Sequence, residues 1–111
     1  DMEEIDQYIF FDMYQDFTDS TAIYPEEQGL EYTALGLVSE AGEFAGKVKK
    51  MIRDKTYDTE AMIAELGDVL WYVARAAAEL DVHLSDVAKD NIEKLKSRQD
   101  RGKLGGSGDE R

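Results

Sequence analysis

Four carboxylates stand in two pairs along this chain, Glu40 with Glu43 and Glu65 with Asp68, the members of each pair three residues apart. Each pair sits in a segment whose apolar residues recur with a helical period, 37–44 and 63–70. Residues three apart are neighbours on a helix face, so each pair presents two carboxylates side by side. If the two helices pack antiparallel, four acids converge on one patch. Unpaired, they would repel one another, and partial burial would add a desolvation cost. A hard divalent cation removes both problems, because Mg²⁺ takes oxygen ligands and binds readily beside substrate phosphates.

The elements that must position these acids follow from periodicity and helix-end chemistry. One helix is expected over about 3–19, with Ile5, Tyr8, Ile9, Met13 and Phe17 along one side. Pro25, the single proline, and the Asp, Ser and Thr residues before it break the chain over 18–25. A second helix is expected over 27–52, with Leu30, Ala34, Leu37, Ala41, Phe44, Val48 and Ile52 as its apolar stripe. A turn over 53–58 leads to a third helix, capped by Thr59 and running to about Leu80. Ser85 is the expected cap of a fourth helix over 86–98. The division is one domain over 1–101 and a flexible glycine-rich tail over 102–111. No strand signal is present. The expected fold is all-α, a four-helix bundle-like core that is oligomeric through helix packing.

The third helix is apolar on two of its three sides. Met62, Leu66, Val69, Val73, Ala76 and Leu80 form one stripe, while Ile63, Ala64, Trp71, Ala74 and Ala78 form another. Glu65, Asp68, Tyr72 and Arg75 lie between them. A helix apolar on two sides is usually buried on both. With four helices available, a second subunit is the expected cover, and the competing reading is that Trp71 packs beneath the first helix.

Around the acids, Glu40, Glu43, Lys47 and Lys50 share one flank of the second helix, where Glu43 and Lys47 also have the spacing of an ordinary surface pair. Gly42 and Gly67 sit inside the two acid pairs at some cost in helix stability, which suits close approach of a neighbouring backbone or a ligand. On the fourth helix, Asn91, Lys94 and Arg98 share a face beside Leu84, Ala88, Ile92 and Leu95. An amide, an ammonium and a guanidinium in a row suit phosphate oxygens. Pairing with Glu93 or Asp90 on a solvated flank is the plainer alternative. His83, the single histidine, reads as structural or exposed.

With 25 acidic and 13 basic residues the formal charge is −12, which argues against a nucleic-acid backbone as partner. No cysteine is present, so disulfides and thiolate metal sites are excluded and the expected location is cytoplasmic. No apolar run approaches the roughly 20 residues of a membrane helix, so no membrane partner is expected.

These residues resemble the MazG nucleotide pyrophosphohydrolases of the all-α NTP pyrophosphatase superfamily. The likeness lies in Glu-x-x-Glu, a gap of 21 residues, then Glu-x-x-Asp. It extends over three ordered blocks, residues 35–43, residues 65–72, and Asn91-x-x-Lys94-Leu95-x-x-Arg98. The resemblance implies a nucleoside triphosphate substrate, cleaved by water to the monophosphate and pyrophosphate. It implies Mg²⁺, with Mn²⁺ as a substitute, held by Glu40, Glu43, Glu65 and Asp68. It also implies phosphate contacts from Asn91, Lys94 and Arg98, with Lys47 and Lys50 as further candidates, and a homodimer or a tetramer built from two dimers. A carboxylate that is not fully engaged with metal can take the proton from water. Glu43 is the first choice and Glu40 the second, while Lys94 and Arg98 would offset charge on the departing pyrophosphate. The base could stack on Phe10, Phe17, Tyr24 or Tyr72. Two alternatives remain. A di-iron bundle needs Glu-x-x-His pairs that the single His83 does not supply. An acidic helical scaffold dimer without catalysis leaves Asn91, Lys94 and Arg98 without a purpose.

Overall fold

The computed structural model describes residues 2–109, and the side chains of residues 10–109. Its elements are α1 (Met2–Asp19), a single 3-10 turn (Glu26–Gln28), α2 (Gly29–Asp54), α3 (Thr59–Glu79) and α4 (Leu84–Asp100), with no strand among the described residues. The chain is all-α. Of the stripe expected on the first helix, Ile5, Tyr8 and Ile9 lie outside the described side chains.

The connection between α2 and α3 is short, which makes the two an antiparallel hairpin, the most extensive helix pairing in the fold. Its register is visible in facing residues. Gly29 meets Glu79, Gly36 meets Tyr72, and Glu40 meets Glu65 and Asp68. A Cβ at position 36 would overlap the Tyr72 ring, so the absence of a side chain at Gly36 lets the two helices close at that level. The glycines expected to serve close approach, Gly42 and Gly67, have open space where a Cβ would stand, so nothing in the chain presses on them. The tight glycines are Gly29 and Gly36.

Helix ends are set differently from the sequence expectation at two points. α3 is capped by Asp58, whose Oδ1 accepts from Ala61 N at 3.1 Å, and Thr59 is already helical. An Asp at this position satisfies one of the N–H groups left open at the helix start. Ser85 does not cap α4, which starts one residue before it. The caps come instead from α1. Leu84 N donates to Gln15 Oε1 at 2.8 Å, Ser85 N to Asp12 Oδ1 at 3.0 Å, and Ser85 Oγ to Asp12 Oδ2 at 2.8 Å. A long-range carboxylate and amide thus satisfy the free N–H groups of this helix start.

α1 also holds α3. Gln15 Nε2 donates to Ala74 O and to Val82 O. Arg75, almost fully buried, donates to Thr18 Oγ1, Asp19 Oδ1 and Tyr24 OH, and Tyr24 OH donates to Glu79 Oε1. Trp71 packs edge-on against Tyr24 and donates its Nε1–H to Thr21 Oγ1 at 2.8 Å. Trp71 is therefore covered by the α1–α2 connection of its own chain, so the third face of α3 is divided. Ala74 is fully buried, whereas Ile63 and Ala64 are exposed.

Buried apolar side chains number three, Ala74, Ala77 and Leu84, among the described residues. The stripe expected on α2 is correspondingly open, with Leu30, Ala34, Ala41 and Ile52 exposed. A two-layer arrangement of α2 on α3 buries one flank of each helix, and α4 makes no close backbone approach to α2. Replacing Gln15 by Ala removes the partner of the buried Leu84 N–H and should cost about 1–3 kcal/mol. Asp19→Asn, at the exposed end of the Arg75 pair, should stay within about 0.5 kcal/mol. Urea midpoints measure both, and equal midpoints would show that α1 does not clamp α4.

Candidate active site

On α2, Glu40 lies one turn beyond Gly36, and on α3, Asp68 and Glu65 lie one and two turns before Tyr72. The antiparallel register set at Gly36 therefore carries the three acids to one level. One carboxylate oxygen from each of Glu40, Glu65 and Asp68 lies within 4.8 Å of the other two. Glu40 and Glu65 are half-buried and Asp68 is exposed.

Electrostatics at this cluster are unfavourable for three anions. The Glu40 carboxyl is pushed above the ordinary carboxylate range, first by desolvation, then by a hydrogen bond with Glu65 and by the charges of Asp68, Glu65 and Glu43. Glu65 Oε2 is buried and has no hydrogen-bond partner. A buried oxygen in that state costs stability unless something accepts its lone pairs. A hard divalent cation fits this donor set, which is all oxygen, negatively charged and incomplete without a positive partner.

A cavity of about 270 Å³ opens beside the acids, lined by Thr21, Glu40, Asp68, Trp71 and Tyr72. Tyr72 OH is raised by burial and by Tyr32, and further by the charges of Glu40 and Asp68. Tyr14 of α1 is raised by burial and by Asp68. Tyr24 stacks on Tyr32 with ring centroids 5.1 Å apart, and Trp71 stands edge-on to Tyr72 at 4.9 Å. Thr21 and Tyr14 carry no signal in the sequence, because they reach the site from α1 and its exit loop through tertiary packing. Trp71 adjoins Tyr72, whose place on the stripe of Glu65 and Asp68 marks that wall of the site.

The remaining expected residues are neither in the three-acid group nor in the lining of that cavity. Glu43 is exposed and outside the three-acid group, though its charge is felt at Glu40. It forms no ion pair with Lys47 among the described residues, so the ordinary surface pairing is not what holds it. Lys47 is half-buried and Lys50 exposed. Asn91, Lys94 and Arg98 lie on α4, which packs on α1 and α3 and not on α2. Arg98 is buried, and it and Lys94 pair with Asp109 rather than with Asp90 or Glu93. Phe10 and Phe17 are exposed, and His83 is exposed at the start of α4. A larger cavity, about 440 Å³, lies elsewhere, between Gln15, Asp19, Arg75 and His83. Its buried cation has a partner at each guanidinium nitrogen, from Thr18, Asp19 and Tyr24, and none of the paired acids lines it.

The description "MazG nucleotide pyrophosphohydrolase domain" matches residues 28–102, which hold both acid pairs and the α4 basic row. The chain belongs to the MazG nucleotide pyrophosphohydrolase family. A relative, the Gene 37 protein of Mycobacterium phage L5, is 50% identical over 111 aligned residues, covering 90% of this chain and 97% of the phage protein. No solved structure matches the chain. The MazG match begins at the end of the 3-10 turn, so α1, with Tyr14, Gln15 and Thr18, lies outside it. No helix among the described residues is long and apolar enough to cross a membrane.

The raised Glu40 carboxyl has a stability consequence. A carboxyl raised in the folded state binds its proton more tightly there than in the unfolded chain, so folding stability falls as pH rises from 4.5 through the folded value. In excess chelator the MazG chain should therefore melt at a lower temperature at pH 7 than at pH 5. Glu40→Gln should remove that part of the decline and raise Tm at pH 7. A Tm at pH 7 lower in Glu40→Gln than in the parent, both in chelator, would show that the three acids do not repel.

Proposed function

We propose that this MazG protein is a Mg²⁺-dependent nucleoside triphosphate pyrophosphohydrolase that converts a (d)NTP and water to the (d)NMP and pyrophosphate. The observation that carries the proposal is the convergence of Glu40, Glu65 and Asp68, with a buried unpartnered oxygen on Glu65, beside an aromatic-walled cavity. A scaffold without catalysis leaves that costly oxygen unexplained.

Glu40, Glu65 and Asp68 would hold the divalent cation, with Glu43 as a fourth donor. When bound, the cation supplies charge neutralisation at the phosphates and activates the attacking water. The chain's own residues do the rest. Glu43, outside the three-acid group, would be the donor least engaged by the cation and would take the proton as water attacks the α-phosphate. Trp71 and Tyr72 bound the cavity and exclude bulk water from one side of it. Lys94 and Arg98 would offset charge on the departing pyrophosphate, with Asn91 donating beside them and Lys47 and Lys50 as additional phosphate contacts. In this proposal the basic row, on a helix that makes no close backbone approach to α2, meets the acids through assembly of two chains.

Exposed apolar side chains support that assembly. On α2, Leu35 and Val38 are each 72% exposed, and on α3, Ile63 is 60% exposed beside the exposed Leu66 and Leu70. Each set has i, i+3 or i+4 spacing and so lies on one helix face. We propose at least a homodimer, or a dimer-of-dimers tetramer. Trp71 is engaged inside its own chain, so Leu35→Glu is the cleaner probe. It should shift the mass measured by light scattering at micromolar concentration toward the monomer, and a parent chain that is already monomeric would refute the assembly.

Turnover is tested with a panel of nucleoside triphosphates and Mg²⁺, scored by pyrophosphate release. Chelator should abolish it and lower Tm. Glu43→Gln should lower kcat by about 10²–10⁴-fold, the range for loss of a general base, whereas Arg98→Ala should mainly raise KM. Full activity in chelator, or near-normal kcat in Glu43→Gln, would overturn the corresponding assignment.

A further inference from the structure

The basic row of α4 already has an occupant. α4 ends in a Schellman turn, with Gly102 at φ +68° and Lys103 N donating to Arg98 O at 2.6 Å. The chain then reverses. Leu104 lines an apolar groove with Ile92 and Leu95 of α4, and Gly106 and Gly108 take positive φ values of 86° and 85°, which permit a return along the helix. Asp109 lands on the two cations. Its Oδ1 lies 3.2 Å from Arg98 Nη2 and 3.3 Å from Lys94 Nζ, and Arg98 Nη2 also donates to the main-chain oxygens of Asp109, at 2.9 Å, and Gly108, at 3.5 Å.

Two features mark this contact as replaceable. Arg98 is 4% exposed, yet its Nε is buried without a hydrogen-bond partner. Asp109 presents one carboxylate oxygen to the pair while its side chain stays 84% exposed. A guanidinium fork is fully used only by two acceptor oxygens held side by side, which a phosphate chain presents. The tail therefore blocks access to Arg98 while leaving one of its donors unused.

We propose that the tail over 103–109 is an autoinhibitory strap whose Asp109 stands where a phosphate group of the substrate would bind, so that the nucleotide's phosphate chain must displace it. The inference rests on the reading of Lys94 and Arg98 as phosphate contacts. It adds that the strap raises the apparent KM and leaves kcat unchanged. Leu104 keeps the tail tethered to α4, so displacement is local and reversible, and the tethered carboxylate competes at a high effective concentration.

The test titrates inorganic pyrophosphate with Mg²⁺ into the full chain, a chain ending at Leu104, and Asp109→Asn. The last two leave every helix and the α4 cap in place. Both should bind pyrophosphate about two- to fivefold more tightly, the scale of one exposed ion pair. Arg98→Ala in the shortened chain should cancel the gain. In ¹H–¹⁵N spectra of the full chain, pyrophosphate should move the Gly106 and Gly108 amides toward random-coil positions. Equal affinities in the three chains, or unmoved glycine amides at saturating pyrophosphate, would overturn the strap. Absence of pyrophosphate binding in all three would overturn both the strap and the phosphate role of α4. If the affinity gain is present but no chain releases pyrophosphate from a triphosphate, the hydrolase reading fails and the strap stands.

Discussion

Everything at the candidate site depends on the antiparallel register of α2 against α3, which forces like charges together. Glu40 is brought between Glu65 and Asp68 because Gly36 lets the Tyr72 ring close on α2 one turn away. A slip of one residue in this pairing would rotate each acid by about 100° and disperse the cluster. Repulsion inside it is tolerated because the same hairpin is held elsewhere by contacts that do not depend on charge at the acids. The site is therefore a strained region within an otherwise consistent helical pair, and such strain is a common mark of a binding site.

α1 supplies much of that holding force, through polar side chains rather than apolar ones. Gln15 bridges α3, the turn at Val82 and the first N–H of α4, while Arg75 gathers Thr18, Asp19 and Tyr24. In a small domain with three buried apolar side chains among the described residues, directional bonds of this kind decide the packing angle that hydrophobic burial alone would leave loose. α1 lies outside the range matched to the MazG domain, yet it caps α4 and brings Thr21 to the cavity wall. The clamp and the site are one construction.

Fold and site share an incompleteness. Apolar side chains on α1, α2 and α3 face outward, and the basic row lies on α4, which makes no close backbone approach to α2. A chain with net charge −12 gathers its cations where they must balance anions, and Lys94 and Arg98 balance the chain's own Asp109. That contact packs the glycine-rich end, by composition a linker, against the basic row of α4.

The amino-acid sequence by itself determined the helices and the two acid pairs. Local periodicity and i, i+3 spacing are properties of neighbouring residues, so the α2 and α3 spans and the shared face of Glu65, Asp68 and Tyr72 were legible without coordinates. The family blocks were legible for the same reason. Tertiary structure alone decided the rest. Which acids converge depends on the hairpin register, so Glu43 falls outside the group although its spacing to Glu40 equals that of Asp68 to Glu65. The caps of α4 come from Asp12 and Gln15, about seventy residues away in sequence, where no local rule reaches. Trp71 lies against Thr21 and Tyr24, a contact set by how the α1–α2 connection folds back. The two glycines inside the acid motifs suit close approach of a backbone or a ligand, and within the chain the close approaches occur instead at Gly29 and Gly36, because contact is a property of the facing helix and not of the residue that permits it.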